Sequence, residues 1–319
     1  MFATVLSASR FGKSALIGAV VAGLSVIGCS LGGCASSPGE TFATPDDAVN
    51  AAVTAIRTDN QAELTRIFGP DAEAALSSGD SVADQNNRAL FLQKFDEKHT
   101  LVAGEDGSKI LEVGPTDWPM PIPLVPAGNG WRFDLAAGKE EILSRRIGRN
   151  ELDAIQTLLA IGDAQDDYLD QRPQGVDEYA AKFFSDPGQK NGLFWPAASG
   201  EQASPLGEMV AEASEQGYTR GTDPSDAPRP FHGYHFRILT AQGANAPGGA
   251  RDYMSNGRMT GGYAVVAYPA EHGRSGIMTF MMSAQGVVYQ RDLGANTESI
   301  ARGMTAFDPD LNWTVVAGE

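Results

Sequence analysis

The chain has 319 residues, of which 42% are hydrophobic and 20% are charged. This composition excludes a disordered chain, and the length suggests two domains of ordinary size. The formal net charge is −16, and beyond residue 28 the remaining 22 Lys and Arg face 40 Asp and Glu. An acidic body without a basic stripe repels phosphate backbones, which argues against nucleic acid as a partner.

Residues 1–28 are predicted to be a signal peptide. Arg10 and Lys13 precede an apolar stretch from about Ser14 to Ile27. This length is typical of the apolar region of a signal peptide, whereas a membrane-spanning helix needs ~20 apolar residues. The alternative is a transmembrane anchor that extends through Leu31, and the glycines within the run argue against it.

The two cysteines follow this apolar run directly, and no others occur in the chain. The segment Val-Ile-Gly-Cys that ends at Cys29 resembles a bacterial lipobox, which implies that Cys29 is acylated and becomes the mature N-terminus. Leu-Gly-Gly-Cys, ending at Cys34, is a second match. A disulfide would close only a tiny loop, and two cysteines without nearby histidines do not complete a tetrahedral metal site. We therefore expect an exported lipoprotein, held to a membrane by its lipid and facing the periplasm or the cell exterior, with residues 29–41 as a flexible tether.

Residues 42–145 are predicted to form an N-terminal α+β domain. Thr44 is a good helix N-cap, Asn60 precedes a second helix, and a third helix directs Leu90, Phe91 and Phe95 inward. Short strands separated by turn residues follow, and helices followed by antiparallel strands predict a layered α+β fold. The order of elements resembles the cystatin-like fold of the nuclear transport factor two-like superfamily, in which helices pack on a curved antiparallel sheet.

Residues 146–319 are predicted to form a C-terminal α+β domain. A long helical stretch carries an apolar stripe that includes Leu152, Leu159 and Tyr168, although Gly148 and Gly162 leave two shorter helices as an alternative. Antiparallel strands follow, with a hairpin turn at 284–286. A long helix packed on a second antiparallel sheet resembles the globular part of type IV pilin-like proteins.

Longer segments carry a more specific resemblance. The chain contains "TPDDAV", "DWPMPIPLV", "RRIGRNELDAIQ", "HGYHFRILTAQG" and "GGYAVVAYPAEHGRSGIMTFM". From about Phe42 to Trp313 it is similar to a bacterial family named only as domain of unknown function 2950. The resemblance implies an exported bacterial protein, and the family supplies no catalytic residues to carry over.

Two tryptophans and three arginines are the candidate binding residues. Trp118 stands among prolines at positions 119, 121 and 123, which confine this segment to a sheet edge, where it either receives a partner peptide or blocks unwanted pairing. Arg145, Arg146 and Arg149 gather in an acidic chain, and forked guanidinium groups bind carboxylates or phosphates. The alternative, which we favour, is an internal network in which Arg146 or Arg149 pairs with an acid at helical spacing. The acids in reach are Glu141, Glu151 and Asp153.

The sequence contains no combination of residues typical of a catalytic or metal site. His232 and His235 are three apart in a predicted strand and would point to opposite faces. Ser275 lacks the spacing of a nucleophile elbow and is better explained as part of a turn before a strand, despite its closeness to His272. We therefore expect no cofactor and no metal.

Two functions are compatible with these features. The first is a non-enzymatic binding or assembly role at the cell envelope, with another envelope protein as a possible partner. The second is a small-molecule-binding or enzymatic pocket in the N-terminal cone-like domain, for which Trp118, Trp131 and the arginines would be lining candidates. A filled N-terminal domain would favour the first function.

Overall fold

A computed structural model describes residues 38–198, 200–218 and 229–316. The predicted signal peptide, Cys29, Cys34 and most of the tether lie outside these ranges. Within them the chain combines helices with mostly antiparallel sheets, which confirms the α+β class. The helices are α1 (Pro45–Arg57), α2 (Gln61–Phe68), α3 (Ala72–Leu76), α4 (Ser81–Glu97), α5 (Leu135–Gln171), α6 (Gly207–Glu215) and α7 (Thr297–Gly303). The strands are β1 (His99–Ala103), β2 (Lys109–Val113), β3 (Trp118–Pro119), β4 (Leu124–Ala127), β5 (Gly130–Phe133), β6 (Tyr234–Leu239), β7 (Ala241–Gln242), β8 (Arg251–Asp252), β9 (Met254–Ser255), β10 (Arg258–Met259), β11 (Ala264–Pro269), β12 (Met278–Ser283), β13 (Val288–Asp292), β14 (Ala306–Phe307) and β15 (Thr314–Val315).

The first two helices begin where their capping residues predict. The Thr44 side chain accepts a hydrogen bond from the Asp47 backbone N–H, and the Asn60 side chain accepts one from Glu63. Each cap satisfies a backbone donor that the first helical turn leaves without a partner. The apolar side chains of α1 and α2 then recur at helical spacing and face a common core.

The first sheet has the strand order β1-β2-β4-β5, and β3 pairs with β2. All of these pairings are antiparallel. The free edge of β5 is closed by the segment before α1, because Phe42 and Trp131 exchange two backbone hydrogen bonds of 2.7 and 2.8 Å. Helices α1, α2 and α4 pack against this sheet.

The space between these helices and the first sheet is filled with apolar side chains. Phe133 is only 3% exposed, and its ring centroid lies 4.8 Å from that of Phe68. Ile122 and Leu124 are equally buried beside them. The helical layer therefore closes on a packed core.

Helix α5 is continuous over 37 residues, so the alternative of two shorter helices is wrong. Gly162 does not end the helix, because it lies against the second sheet, where a Cβ atom would be 3.0 Å from the Met282 methyl group. Gly148 has open space at the corresponding position. Tertiary packing along the rest of the helix outweighs the low helix propensity of two glycines.

The inward orientation predicted for Leu90 is wrong, and two leucines of the predicted apolar stripe of α5 are exposed. Leu90 is 51% exposed, Leu152 is 64% exposed and Leu159 is 39% exposed. In α5 the large side chains that reach the second core are Leu158, Ile161 and Tyr168, which are fully buried, and only Tyr168 among them belongs to the predicted stripe. The helix therefore carries apolar side chains on two faces, and one of these faces points away from the core.

The second sheet has the order β15-β13-β12-β11-β6 and is antiparallel throughout. Strand β11 is buried along its whole length, so both faces of the sheet centre are covered. Helices α5 and α7 both contact β11. Strands β12 and β13 form the predicted hairpin, with Gly286 at a positive φ of 72° in the turn.

Two hydrophobic clusters lie along the chain. The first draws its buried side chains from residues 48–135 and the second from residues 154–313, whereas the described residues together form one compact unit. The domain boundary predicted between residues 145 and 146 lies inside α5, whose two ends serve different clusters. The division into two domains stays a prediction. No helix in the described ranges is long and apolar enough to cross a membrane.

Gly148 and Gly138 of α5 differ in the space around them, and this difference gives a stability prediction. Gly148→Ala is expected to raise the free energy of unfolding by about 0.5–1 kcal/mol, because the added methyl group meets nothing and restricts the unfolded chain. Gly138→Ala is expected to lower it, because a Cβ atom there would lie 2.6 Å from the Pro121 carbonyl oxygen. Urea unfolding of both variants checks the two signs, and a stabilised Gly138→Ala would contradict the close approach of α5 to the segment between β3 and β4.

Candidate functional site

The most prominent aromatic group on the surface of the first sheet is Trp118. It follows a turn in which the Asp117 N–H donates to the Gly114 carbonyl oxygen at 3.1 Å, with both residues at positive φ. Lys98 holds this turn through a 2.6 Å ion pair with Asp117. The turn starts β3 and leaves Trp118 44% exposed.

Arg145 of α5 lies over this ring. The centre of its guanidinium group is 4.7 Å from the indole centroid, a cation–π contact worth about 0.5–1 kcal/mol at an exposed position. Its Nε donates to Glu141 at 2.6 Å, and its Nη1 donates to the Pro119 carbonyl oxygen at 2.8 Å. Three separate contacts therefore hold the guanidinium group in one orientation beside an exposed aromatic face.

The position of Trp118 agrees with the sheet edge that the prolines predict. Among the described residues β3 pairs only with β2, and its other side faces Arg145 of α5. There Arg145 donates a hydrogen bond to the Pro119 carbonyl oxygen, so this acceptor is not free to pair with an added strand. The edge is thus partly protected, and its exposed feature is the aromatic side chain.

Trp131 lies elsewhere. Lys109 of β2, Leu124 of β4 and Phe133 of β5 are aligned by the strand register. Trp118 is paired with Val113, four residues along the strand direction from these three aligned residues. Trp131 lies two residues from them in the opposite direction. The two tryptophans are therefore roughly 20 Å apart along the strand direction, at 3.3 Å per residue. Trp131 packs against the first core and pairs with Phe42, so it does not share a site with Trp118.

Arg146 is buried, with 7% of its surface exposed. Its Nη2 donates to the carbonyl oxygen of Ala75 in the last turn of α3 at 2.7 Å. Burial lowers the pKa of the Arg146 guanidinium, and the nearby Asp84 carboxylate acts in the opposite direction. Arg146 joins α5 to α3 and is a structural residue.

The predicted arginine network differs from the observed contacts. Glu141 is bound by Arg145, and Arg149 donates to the Asn87 side chain of α4 at 3.1 Å. Glu151 instead accepts hydrogen bonds from two backbone N–H groups of the second sheet. Arg145 and Arg149 lie on nearly the same face of α5 and Arg146 is turned by about 100° from Arg145, yet each arginine binds a different segment. Of the five predicted site residues, only Trp118 and Arg145 lie together.

The histidines and Ser275 make structural contacts. His232 lies in a turn at a φ of 49°, not in a strand as predicted, while His235 is in β6, where burial lowers its pKa. The Ser275 hydroxyl is bound to the backbone of Glu271 on both its donor and acceptor sides. His272 is paired with Asp292 at 2.8 Å. Among residues 38–198, 200–218 and 229–316, no group of three or more His, Cys, Asp or Glu could hold a metal ion.

Two surface depressions of the described residues lie away from the predicted site residues. One of about 430 Å³ lies along α1 and α2 and includes Asn50 and Arg66. The other, of about 350 Å³, lies between Pro70, Glu73 and Arg274. Both are open to solvent and lie outside the packed core of the first sheet.

Two further features of α5 were not predicted from the sequence. Asn150 and Glu151 bind the segment before β12: Asn150 donates to the Ser275 carbonyl oxygen at 2.9 Å, and Glu151 accepts from Ile277 and Met278. Leu152 and Leu159 point outward. Leu152 and Leu159 are seven residues apart and therefore share one face of the helix. The buried Leu158 lies on a different face, so this spacing is the sequence signal for a second apolar face.

The described residues therefore define an α+β protein with two five-stranded sheets, two smaller sheets, one long helix whose ends serve different hydrophobic clusters, and an aromatic–arginine surface at the edge of the first sheet. A family model described as protein of unknown function (DUF2950) matches residues 39–316. The chain belongs to this family, as its sequence segments predicted. Searches of curated proteins and of solved structures found no match. The cystatin-like and pilin-like arrangements therefore stay expectations.

Proposed function

We propose that the protein is a lipid-anchored cell-envelope protein that acts by binding another envelope protein, without catalysis. The acyl group on Cys29 holds the chain at a membrane, with Cys34 as the alternative position. Residues 29–41 form the tether between the lipid and the folded body. The sequence of the first 34 residues supports the anchor, since a charged start, an apolar run and a lipobox-like cysteine occur in that order.

The observation that carries the binding role is the Trp118–Arg145 pair. Tryptophan and arginine are among the residues that contribute most to protein interfaces, because they combine a large contact area with directional polar groups. The guanidinium group is already oriented by Glu141 and Pro119, so binding a partner costs little side-chain entropy there. An exposed aromatic group held in place on a sheet edge is suited to a protein partner.

The interior of the first sheet also favours surface binding over a pocket. Phe133 and Phe68 occupy the space that a ligand would need inside a cone-like domain. The two open depressions do not bring the tryptophans or the α5 arginines together. A binding role through the exposed edge therefore agrees better with these residues than the pocket alternative does.

Site-specific photocrosslinking in intact cells tests the proposal. A photoreactive phenylalanine analogue replaces Trp118, and a matched variant carries it at Leu311, which is fully exposed on another part of the surface. We expect one discrete adduct with an envelope protein at position 118, absent at position 311. We also expect that adding Arg145→Ala weakens this adduct several-fold, because the variant loses the group that orients the surface. Equal labelling at both positions, or no adduct at position 118, would contradict a partner at this edge.

A further inference from the structure

The outward face of α5 carries an ordered series of side chains. Arg149, Leu152, Gln156, Leu159 and Asp163 follow one another at spacings of three and four residues, and all five are exposed. This spacing places them in one stripe along the helix, as in the contact line of two packed helices. Leu152 and Leu159 are 64% and 39% exposed at its centre.

The stripe carries a positive charge at one end and a negative charge at the other, so it is complementary to a second copy of itself that runs in the opposite direction. Arg149 and Asp163 lie seven residues on either side of Gln156, or about 10 Å at the helical rise of 1.5 Å per residue. Leu152 and Leu159 lie four and three residues from the same point. A second helix running in the opposite direction about this point would set each leucine against a leucine and each charge against its opposite.

The two charges have no oppositely charged partner within the described part of the chain. Arg149 makes no ion pair there and donates a single hydrogen bond to Asn87. Asp163 belongs to an acidic stretch with Asp166, Asp167 and Asp170, which are mutually repulsive. Burial and these neighbouring carboxylates raise the pKa of Asp166. A guanidinium group brought to this end of the helix would reduce the repulsion.

We propose that two copies of the chain pair through α5 in antiparallel orientation, about a twofold axis near Gln156. Leu152 packs on Leu159 of the partner subunit, and Arg149 pairs with Asp163 of the partner subunit. Each contact occurs twice, as a twofold interface requires. A parallel pair would set arginine against arginine and aspartate against aspartate, so the charges select the antiparallel arrangement.

This dimer goes beyond the proposed function. It requires neither the acyl group nor the partner at Trp118. The contact of two helices is at the small end of specific interfaces, so association must be measured over a wide concentration range.

Cysteine crosslinking tests the geometry in the full chain extracted with detergent. In a Cys34→Ser background, Gln156→Cys places two thiols next to each other at the proposed axis, whereas Ser299→Cys places them on the exposed surface of α7. Under mild oxidation we expect a covalent dimer for Gln156→Cys and only background for Ser299→Cys. Equal crosslinking of both variants would overturn the proposed axis.

Sedimentation of the same detergent-extracted chain tests the energetics. Leu152→Asp and the single variants Arg149→Asp and Asp163→Arg are each expected to weaken association about tenfold or more. The double variant Arg149→Asp with Asp163→Arg should restore it, because the pairing is then reversed in sign. Ile300→Asp, at an exposed isoleucine of α7, is the control and should leave the dimer unchanged. A chain that is monomeric at every concentration, or a dimer unaffected by Leu152→Asp, would overturn the proposal.

Discussion

Glu151→Ala is expected to lower the free energy of unfolding by about 3 kcal/mol, a large effect for a partly exposed side chain. The Glu151 carboxylate accepts hydrogen bonds from the backbone N–H groups of Ile277 and Met278, at 2.9 and 3.0 Å. Both bonds involve an ionised acceptor and are stronger than bonds between neutral groups. The variant leaves two backbone donors without their partner at the start of β12.

The position of these donors explains why the loss matters. Strand β12 lies in the middle of the second sheet, and its first residue is also held by Tyr234, whose hydroxyl donates to the Met278 carbonyl oxygen. Glu151 therefore attaches α5 to a central strand rather than to a loop. A buried or partly buried donor that loses its acceptor costs about 1–3 kcal/mol.

Glu140→Ala is the matched control for this prediction. Glu140 is an exposed carboxylate on the same helix, and no hydrogen bond or ion pair to it was found in the described residues. Its removal should change the stability by less than about 0.5 kcal/mol. Urea unfolding of both variants gives the comparison. If Glu151→Ala costs no more than Glu140→Ala, the carboxylate does not attach the helix to the sheet.

Local signals in the sequence identified the elements that depend on neighbouring residues. Thr44 and Asn60 were identified as helix caps, and the 284–286 turn as a hairpin, because the responsible side chains lie within a few residues. Strand β1 has no such local signal, since it follows α4 after a single residue, Lys98, and no turn residue marks the change. Element boundaries without a chemical signal of their own depend on tertiary pairing.

The candidate site was predicted only in part, because its contacts join distant segments. The prolines beside Trp118 predict a sheet edge, and the three arginines gather in an otherwise acidic chain. Nothing in the sequence could indicate that Arg145 lies over Trp118 or that Arg146 reaches a carbonyl oxygen 71 residues away. The outward direction of Leu152 was likewise decided by which face of α5 the second sheet covers.

The lipid anchor gives the second prediction with a large effect. If Cys29 is acylated, Cys29→Ser should move the protein from the membrane fraction to the soluble fraction or leave it with residues 1–28 uncleaved. Removing the acyl chains removes ~0.8 kcal/mol for each buried CH₂ group, which is most of the attachment of an acidic body to a membrane. Cys34→Ser is the matched control, five residues further along, and should remain in the membrane fraction.

The intact mass of the detergent-extracted protein is the most direct test of the proposed function. A chain that starts at Cys29 and carries the added mass of a diacylglycerol and an acyl group is the result the proposal predicts. The added mass should vanish in Cys29→Ser and persist in Cys34→Ser. An unmodified chain that still contains residues 1–28, or one that is modified at neither cysteine, would contradict the lipid-anchored envelope protein.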